Sequence, residues 1–400
     1  MKKIISLITG VLLSASLISC NSTKILEENT KSNKLLNKYR ITERNVNIKY
    51  EDKIFEPLFY DEDGVNGILD TRKSGVLDED EINVPYILKE DGEFIKEENK
   101  YFSKEGVDFI KINGKNSYRG IYSQGLHTRG HIFYYMDIEK NIKFKLDGYD
   151  EIYYKAIDKF QYRHSKDFQI NDDYFITELY NMTDYYEYKG EKLILIIDIK
   201  NQTYYTEIIK MDPNMYYYDK KEEAIMAIDY QGKIQKVNLK DRKIYFEDFY
   251  KINISTLGIE GLFDNKKAMF NRYIVSEDNL IFEIRGEAVF ENVIYNINTK
   301  NIKLMNKEIY ILSEVENSKF FVVNTSTLLD NKVYIAEVGD NYEFDLIYKL
   351  SELENYDSFM VKANKDSSSI FFALESYNYI EGEEPFLKDS KYLFLDIENN

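Results

Sequence analysis

The sequence predicts an all-β fold assembled from repeated units of four strands, and two observations support this prediction. Tyr (36) and Phe (24) are abundant while Pro (4) is scarce, and aromatic enrichment favours strands. Short strand-like runs separated by polar turns also recur in groups. The clearest group spans residues 308–350 and contains the runs 309–313, 319–325, 332–338 and 343–350.

The same grouping recurs along the chain. Four short strands in about 40 residues is the size of one blade of a β-propeller, so we expect a propeller of about six four-stranded blades. A β-sandwich, or two tandem sandwiches, would also produce a meander of hairpins and is the alternative. The remaining units are 107–146, 152–210 (beginning with a run at 152–157), 215–249, 268–305 and, with three runs only, 359–397.

The third run of several units ends in an apolar stretch, an acid or Asn, and a polar turn. The acid or Asn of this pattern is Asp137, Asp198, Asn296 or Asp396 in the respective units. Such a turn after an alternating strand is typical of hairpins. The pattern resembles the outer hairpin of blades in bacterial six-bladed, TolB-like propellers. The resemblance covers roughly residues 100–400 and carries no catalytic motif.

The last unit lacks a fourth run, which predicts that a strand from the other end of the chain completes it. An open sheet edge would invite aggregation. Residues 46–51 alternate in polarity and are the preferred closing strand for the run 391–397; residues 84–88 are a second choice. We interpret 46–400 as one propeller-like domain, in which 46–100 form a partial first blade or an N-terminal elaboration.

The N-terminus has the layout of a secretory signal peptide. Lys2 and Lys3 precede an apolar stretch, residues 4–18, that is too short for an ordinary transmembrane helix. The sequence Leu17-Ile18-Ser19-Cys20 resembles the bacterial lipobox. That resemblance implies cleavage before Cys20, diacylglycerol on its sulfur and an acyl chain such as palmitate on its new amino group. Several chains anchor a protein stably.

The resulting organisation is a signal peptide (1–19), a lipidated cysteine with a flexible tether (20–45), and the propeller-like domain. We therefore expect a lipoprotein of the bacterial cell envelope, on a periplasmic or extracellular face. Asn21 rather than Asp follows the cysteine, which in a Gram-negative cell implies the outer membrane.

Charge and cysteine content exclude several functions. Cys20 is the single cysteine, so no thiol remains for a disulfide, a zinc site or a nucleophile. Removal of Lys2 and Lys3 with the signal peptide changes the formal net charge from −17 to −19. A chain this acidic repels phosphate backbones, and we expect no nucleic-acid partner.

Histidine spacing offers a metal hypothesis that the context disfavours. His127 and His131 are spaced i, i+4, which on a helix places two imidazoles on one face. Gly125 and Gly130 flank the pair, however, and His131 opens a strand-like run. On a strand the rings would be about 13 Å apart. His164 is predicted in a loop, and no G-x-S-x-G motif accompanies it.

The acidic stretch 61–67 superficially matches a calcium loop, with 78–81 nearby as additional oxygen donors. Val65 occupies a ligand position and the glycine is out of register, so a solvated acidic loop is the simpler interpretation. We predict no metal and no cofactor. With 70 acids in the chain, carboxylate pairs for glycoside hydrolysis cannot be ranked.

Tyrosine clusters at 185–186 and 216–218 could stack on sugar rings, but strand alternation predicts that one member of each packs between blades. The favoured function is therefore a lipid-anchored, non-enzymatic module that binds a protein, peptide or glycan. The alternative is an envelope hydrolase whose carboxylates, or His127 and His131, converge in the central channel. Catalytic residues are not identified.

Overall fold

The protein is described by a computed structural model. The described ranges are 38–46, 54–70, 85–96, 109–111, 119–124, 132–137, 139–159, 162–182, 188–210, 213–229, 232–253, 257, 269–276, 278–285, 290–305, 309–315, 318–327, 330–339, 341–379 and 386–400.

These residues form seven antiparallel sheets of four strands each. The first strand of the described residues, β1 (Tyr39–Val46), belongs to the last sheet. Blade 1 contains β2 (Ile54–Asp61), β3 (Gly64–Asp70), β4 (Pro85–Leu88) and β5 (Phe94–Lys96). Blade 2 contains β6 (Phe109–Lys111), β7 (Arg119–Gln124), β8 (Ile132–Asp137) and β9 (Ile142–Lys145). Blade 3 contains β10 (Tyr162–Gln169), β11 (Tyr174–Met182), β12 (Tyr188–Asp198) and β13 (Thr203–Ile209).

The second half of the chain continues the pattern. Blade 4 contains β14 (Pro213–Asp219), β15 (Ala224–Asp229), β16 (Lys233–Lys240) and β17 (Lys243–Lys251). Blade 5 contains β18 (Met269–Ser276), β19 (Asn279–Arg285), β20 (Phe290–Asn296) and β21 (Ile302–Leu304). Blade 6 contains β22 (Ile309–Glu314), β23 (Phe320–Thr327), β24 (Asp330–Val338) and β25 (Phe344–Lys349). Blade 7 contains β26 (Ser358–Ala363), β27 (Ser369–Asn378), β28 (Phe386–Asn399) and β1, in the spatial order β1-β28-β27-β26.

The sheets are arranged as a closed ring, because an apolar cluster joins each blade to the next. Blades 1 and 2 share a cluster that includes Phe59 and Met136, and blades 7 and 1 share one that includes Phe371 and Phe55. Five further clusters join blades 2/3, 3/4, 4/5, 5/6 and 6/7. Each strand alternates its side chains between the two neighbouring blades, so every sheet is apolar on both faces. The fold is a seven-bladed β-propeller.

The expected propeller is thus confirmed, and the expected number of blades is corrected from about six to seven. Residues 54–96 form a complete blade 1 rather than a partial blade or an elaboration. Residues 84–88 belong to this blade as β4, not to the closing sheet. The long connection 71–84 separates the two halves of blade 1 in the sequence, which hid its four-strand pattern. Neither a sandwich nor a tandem sandwich is formed.

Ring closure by an N-terminal strand is also confirmed, with a different strand. β1 pairs with β28 in a continuous antiparallel register from Tyr39↔Asn399 to Val46↔Tyr392. The predicted partner run, 391–397, lies within β28. The predicted closing strand, 46–51, shares only Val46 with the observed strand β1. Residues 47–51 lie outside the described part of the chain. The propeller therefore begins at Tyr39, inside the segment 20–45 that the sequence assigned to the tether.

One strand-like run is a helix instead. Residues 152–157 lie in α1 (Tyr149–Lys159), and the inner strand of blade 3 is β10. Asp150 and Glu151 occupy the first turn, where acids favour a helix N-terminus. Tyr149 and Ala156 of α1 are buried against Phe133 between blades 2 and 3. A short 3-10 helix spans Ser351–Asn355. Among the described residues no helix is long and apolar enough to cross a membrane.

The repeated acid or Asn of the sequence pattern is a turn residue. The side-chain oxygens of Asp137, Asp198 and Asn296 each accept a hydrogen bond from the backbone N–H three residues later. The residue four positions on has a positive φ in each case, namely Asn141, Gln202 and Lys300. Asp and Asn favour such turns because their short side chains mimic a backbone turn. The repeat therefore encodes hairpin geometry.

The two faces of the ring differ. In antiparallel blades the connections between strands 1 and 2, and between strands 3 and 4, lie on one face, which we call the turn face. The other connections lie on the opposite face, which we call the loop face. Turn-face connections are short: the shortest include 62–63 and the longest is 112–118. The four longest connections join strands at the loop face, and they are 71–84, 97–108, 146–161 and 252–268.

Candidate functional site

Three exposed aromatic side chains lie along β17, the outermost strand of blade 4. Tyr245 is 48% exposed, and Phe249 and Tyr250 are each 37% exposed. We call these three residues the aromatic surface. Tyr245 lies about 13 Å along the strand from Phe249, and exposed aromatic side chains on one strand offer ring faces to a partner.

Strand geometry explains why these side chains point outward. Ile244 is buried between blades 3 and 4 and Phe246 packs partly against the same cluster, so Tyr245 lies on the opposite side of the strand. The pairing of β16 with β17 is irregular, because Ile234 pairs with Tyr250 whereas its neighbour Gln235 pairs with Asp248. Phe249 is the additional residue of this bulge. A bulge redirects side chains locally, and here two consecutive aromatic residues are exposed.

Tyr250 of the aromatic surface packs on a region between blades 4 and 5 that contains two buried tyrosines. The ring of Tyr250 stacks on that of Tyr295 at a centroid distance of 6.4 Å and an interplanar angle of 24°. Tyr217 and Tyr295 are 1% and 0% exposed. Neither hydroxyl has a hydrogen-bond partner among the described residues. Burial raises the pKa of both tyrosines, and the negative charge of Asp219 raises each pKa further.

Charged groups border this surface. The Lys300 ammonium lies 5.2 Å from the centre of the Phe249 ring and 3.7 Å from the buried Asp219 carboxylate. On the other side, Lys233 and Gln235 both donate to the Asp248 carboxylate and hold its pKa below the ordinary value. The surface therefore combines ring faces with fixed charges of both signs.

A second cluster of functional groups lies buried between blades 3 and 4. Lys192 donates to Glu178 at 3.0 Å, and the Tyr216 hydroxyl donates to the same carboxylate. Burial raises the pKa of Glu178, against the opposing effects of the Lys192 charge and the Tyr216 hydrogen bond. A perturbed carboxyl in a cleft would suggest a catalytic acid. The side chains of Glu178 and Lys192 are only 3% and 4% exposed, so this cluster is a sealed ion pair that joins two blades.

A similar polar contact lies between blades 2 and 3. Arg119 and Asp137 are cross-strand neighbours, and their side chains approach to 2.7 Å at 4% and 1% exposure. Asp137 also shapes its hairpin turn, as described above. The pair borders the apolar cluster between blades 2 and 3 at the turn face. Because both side chains are buried, a substrate could not contact them.

The sequence-predicted residues fall in several places. Cys20, His127, His131 and residues 78–81 and 185–186 lie outside the described part of the chain. His164 lies on β10 opposite Tyr180 rather than in a loop. Residues 61–64 form the tight turn between β2 and β3, where the Asp61 carboxylate accepts from the Asp63 backbone N–H.

The tyrosine cluster 216–218 packs mainly between blades, as strand alternation indicates. Tyr216 and Tyr217 are buried, and Tyr218 stacks on Tyr174. No group of three or more His, Cys, Asp or Glu side chains that could hold a metal ion occurs within the described ranges. The aromatic surface was missed at the sequence level, although the consecutive pair Phe249-Tyr250 breaks the strand alternation and was a usable signal.

Seven closed blades define the class of protein as a β-propeller. No known family profile matches the sequence, and no curated protein matches it. Solved structures with similarity include an acylaminoacyl peptidase from Pyrococcus horikoshii, which is 10% identical, with 85% of this chain and 53% of that chain covered and a TM-score of 0.44.

Two further structures are similar at the same low level. A prolyl endopeptidase is 10% identical, with 100% of this chain covered and a TM-score of 0.40. TolB from Acinetobacter baumannii is 11% identical, with 68% of this chain and 66% of that chain covered and a TM-score of 0.31. This chain spans 56% of the length of the prolyl endopeptidase. The fold assignment therefore depends on the sheet topology of the chain itself.

Proposed function

We propose that this protein is a lipid-anchored binding module of the bacterial cell envelope, with its ligand on the aromatic surface of blade 4. The observation that carries the proposal is the exposure of Tyr245, Phe249 and Tyr250 along one outer strand, with Tyr250 stacked on the buried Tyr295. The hydroxyls of Tyr217 and Tyr295 have no partner among the described residues. Buried polar groups normally find a partner. Both side chains are at least as buried as Glu178 and Lys192, so these hydroxyls lie beneath the ligand surface and do not contact the ligand.

Of the ligand classes considered, the aromatic surface favours a glycan. The C–H face of a sugar ring stacks on an aromatic ring, and sugar hydroxyls can bond to tyrosine hydroxyls and to the carboxylates of Glu247 and Asp248, both exposed. Aromatic side chains give large contact area with a polar tip. The formal charge of −17 further favours neutral or cationic ligands over polyanions.

The hydrolase alternative stays a prediction. Burial raises the pKa of Glu178, but its side chain is sealed between blades. His127 and His131 lie outside the described residues. No specific observation therefore favours catalysis over binding.

The test is a binding measurement on the soluble domain against neutral envelope glycans and against peptides. We expect Tyr245→Ala to weaken glycan binding by about tenfold, which corresponds to about 1.4 kcal/mol. Tyr342→Ala is the matched control, because Tyr342 is 38% exposed but lies in blade 6. Unchanged melting temperatures would show that both variants remain folded.

Three outcomes would contradict the proposal. Equal losses in the two variants would show that the effect is not local to blade 4. Wild-type binding by Tyr245→Ala would remove the aromatic surface as the site. Binding to peptides alone would keep the surface but overturn the ligand class.

A further inference from the structure

The chain enters the ring at a defined place. Tyr39, the first residue of β1, pairs with Asn399, and the Asn400 backbone N–H donates to the Lys38 carbonyl. Near the same end of β28, the Ile397 backbone N–H donates to the Ser368 carbonyl in the turn between β26 and β27. That turn belongs to the turn face. Residue 38 therefore lies at the turn face of blade 7.

Side chains hold this entry point. Lys38 donates to Glu337 at 2.6 Å, and Tyr39 donates to the other oxygen of the same carboxylate at 2.8 Å. Glu337 lies near the end of β24, next to the turn that begins at Gly339 on the turn face of blade 6. The chain is thus fixed at this face by side chains as well as by strand pairing.

The distance from the lipobox cysteine to this point is short. About 18 residues separate Cys20 from Lys38, which span at most about 60 Å when fully extended. A flexible chain of this length has an average end-to-end distance of about 25 Å. An anchor at Cys20 would therefore keep the turn face of blade 7 close to the bilayer.

From this geometry we propose that the turn face is directed towards the membrane and that the loop face, with the long connections, is directed away from it. The inference rests on the lipid anchor of the proposed function. In the seven-bladed ring, blade 4 is three blades from blade 7 in one direction and four in the other. The aromatic surface therefore lies on the far side of the ring from the tether.

The experiment uses the lipidated full-length protein in liposomes that carry a headgroup-linked fluorescence quencher. Because Cys20 is the single cysteine and lipidation blocks its thiol, an introduced cysteine is the sole labelling site. Lys365→Cys places a dye in the turn between β26 and β27, and Tyr379→Cys places it beyond the opposite end of β27, where Tyr379 is 68% exposed. The two positions are about 30 Å apart along the strand.

We expect at least twofold stronger quenching at position 365 than at position 379. A Cys20→Ser version of each labelled variant supplies the unanchored baseline. Equal quenching, or stronger quenching at 379, would overturn the orientation while liposome flotation still showed the anchor. Failure of the wild-type protein to float with liposomes would overturn the anchor, and the orientation with it.

Discussion

The Tyr39 hydroxyl donates a 2.8 Å hydrogen bond to Oε2 of Glu337, across 298 residues of sequence. Lys319 donates to the Tyr39 hydroxyl at 2.7 Å, and its ammonium is 3.2 Å from the same carboxylate. This contact joins the N-terminal strand of blade 7 to blade 6. At the other end of β1, Arg44 binds Asp396 in a bidentate pair and also reaches Glu90 of blade 1. The closing strand is therefore fastened to both neighbouring blades.

Removal of the Tyr39 hydroxyl should weaken this closure measurably. Tyr39→Phe keeps the ring packed on Phe320 but removes the donor to Glu337. Hydrogen bonds to charged groups contribute about 1.5–3 kcal/mol, so we expect a loss of about 1.5 kcal/mol in the free energy of unfolding, measured with denaturant. Tyr342→Phe, at an exposed tyrosine, is the control and should have no effect. Equal stability of the two variants would contradict the role of the hydroxyl.

Two truncations should show that the closing strand contributes to stability and the tether does not. Removal of residues 21–37 should leave the melting temperature unchanged, whereas removal of 21–46 should lower it sharply and promote aggregation. The longer deletion exposes the edge of β28, which presents unpaired backbone groups. Calorimetry and light scattering measure both effects. Matching melting temperatures for the two proteins would show that β1 is dispensable for the ring.

The closing contact should weaken in acid. Burial alone would raise the pKa of Glu337, but the hydrogen bonds from Lys38 and Tyr39 and the Lys319 charge outweigh it and hold the pKa below its ordinary value of 4.5. Because the folded state binds the proton less readily than the unfolded state, the stabilisation is complete above about pH 4.5. It is lost as pH falls through the folded-state pKa.

The measurement compares wild type with Glu337→Gln across this range. We expect the wild type to be more stable by about 1–2 kcal/mol at pH 7, with the difference shrinking as pH falls below 4.5. The variant itself is the control for the many other carboxyls that titrate in the same window. A difference that is constant between pH 7 and pH 3 would be incompatible with a lowered pKa.

The buried pair between blades 3 and 4 should be sensitive to the loss of one partner. Lys192→Met leaves the Glu178 carboxylate buried without its cation, which costs about 3–5 kcal/mol in comparable pairs. Glu178→Gln in the same background should restore part of that loss, because the uncompensated charge is gone. Lys200→Met, at an exposed turn lysine, is the matched control. If Lys192→Met and Glu178→Gln change the free energy of unfolding additively in a double-mutant cycle, the two side chains are not directly coupled.

The lipid anchor is tested at Cys20. Cys20→Ser removes the sulfur that the lipobox resemblance implies is alkylated, so the variant should lose palmitate labelling and leave the membrane fraction. Labelling that persists in this variant would refute the anchor. A cleaved and soluble wild-type protein would have the same consequence.

Much of the fold could be predicted because its signals are local. Turn residues such as Asp137 and Asn296 shape their own hairpins through bonds three residues away, so the units recur visibly in the sequence. The candidate site could not be predicted in the same way. Tyr250 is exposed because of a bulge in the pairing of β16 with β17, and its support by Tyr295 comes from another blade.

The four-strand units, their turns and the need for an N-terminal strand to close the last sheet are evident from the sequence, because these features depend on local alternation and turn chemistry. The tertiary structure decided which strand closes the ring. Residues 46–51 alternate regularly in polarity, whereas residues 39–46 include three consecutive polar residues, 43–45. The less regular run closes the ring because it places Tyr39 beside Glu337 and Arg44 beside Asp396. The number of blades was decided in the same way, since blade 1 becomes evident only when strands on both sides of the 71–84 connection pair. Contacts between residues distant in sequence therefore override the local pattern where the two disagree.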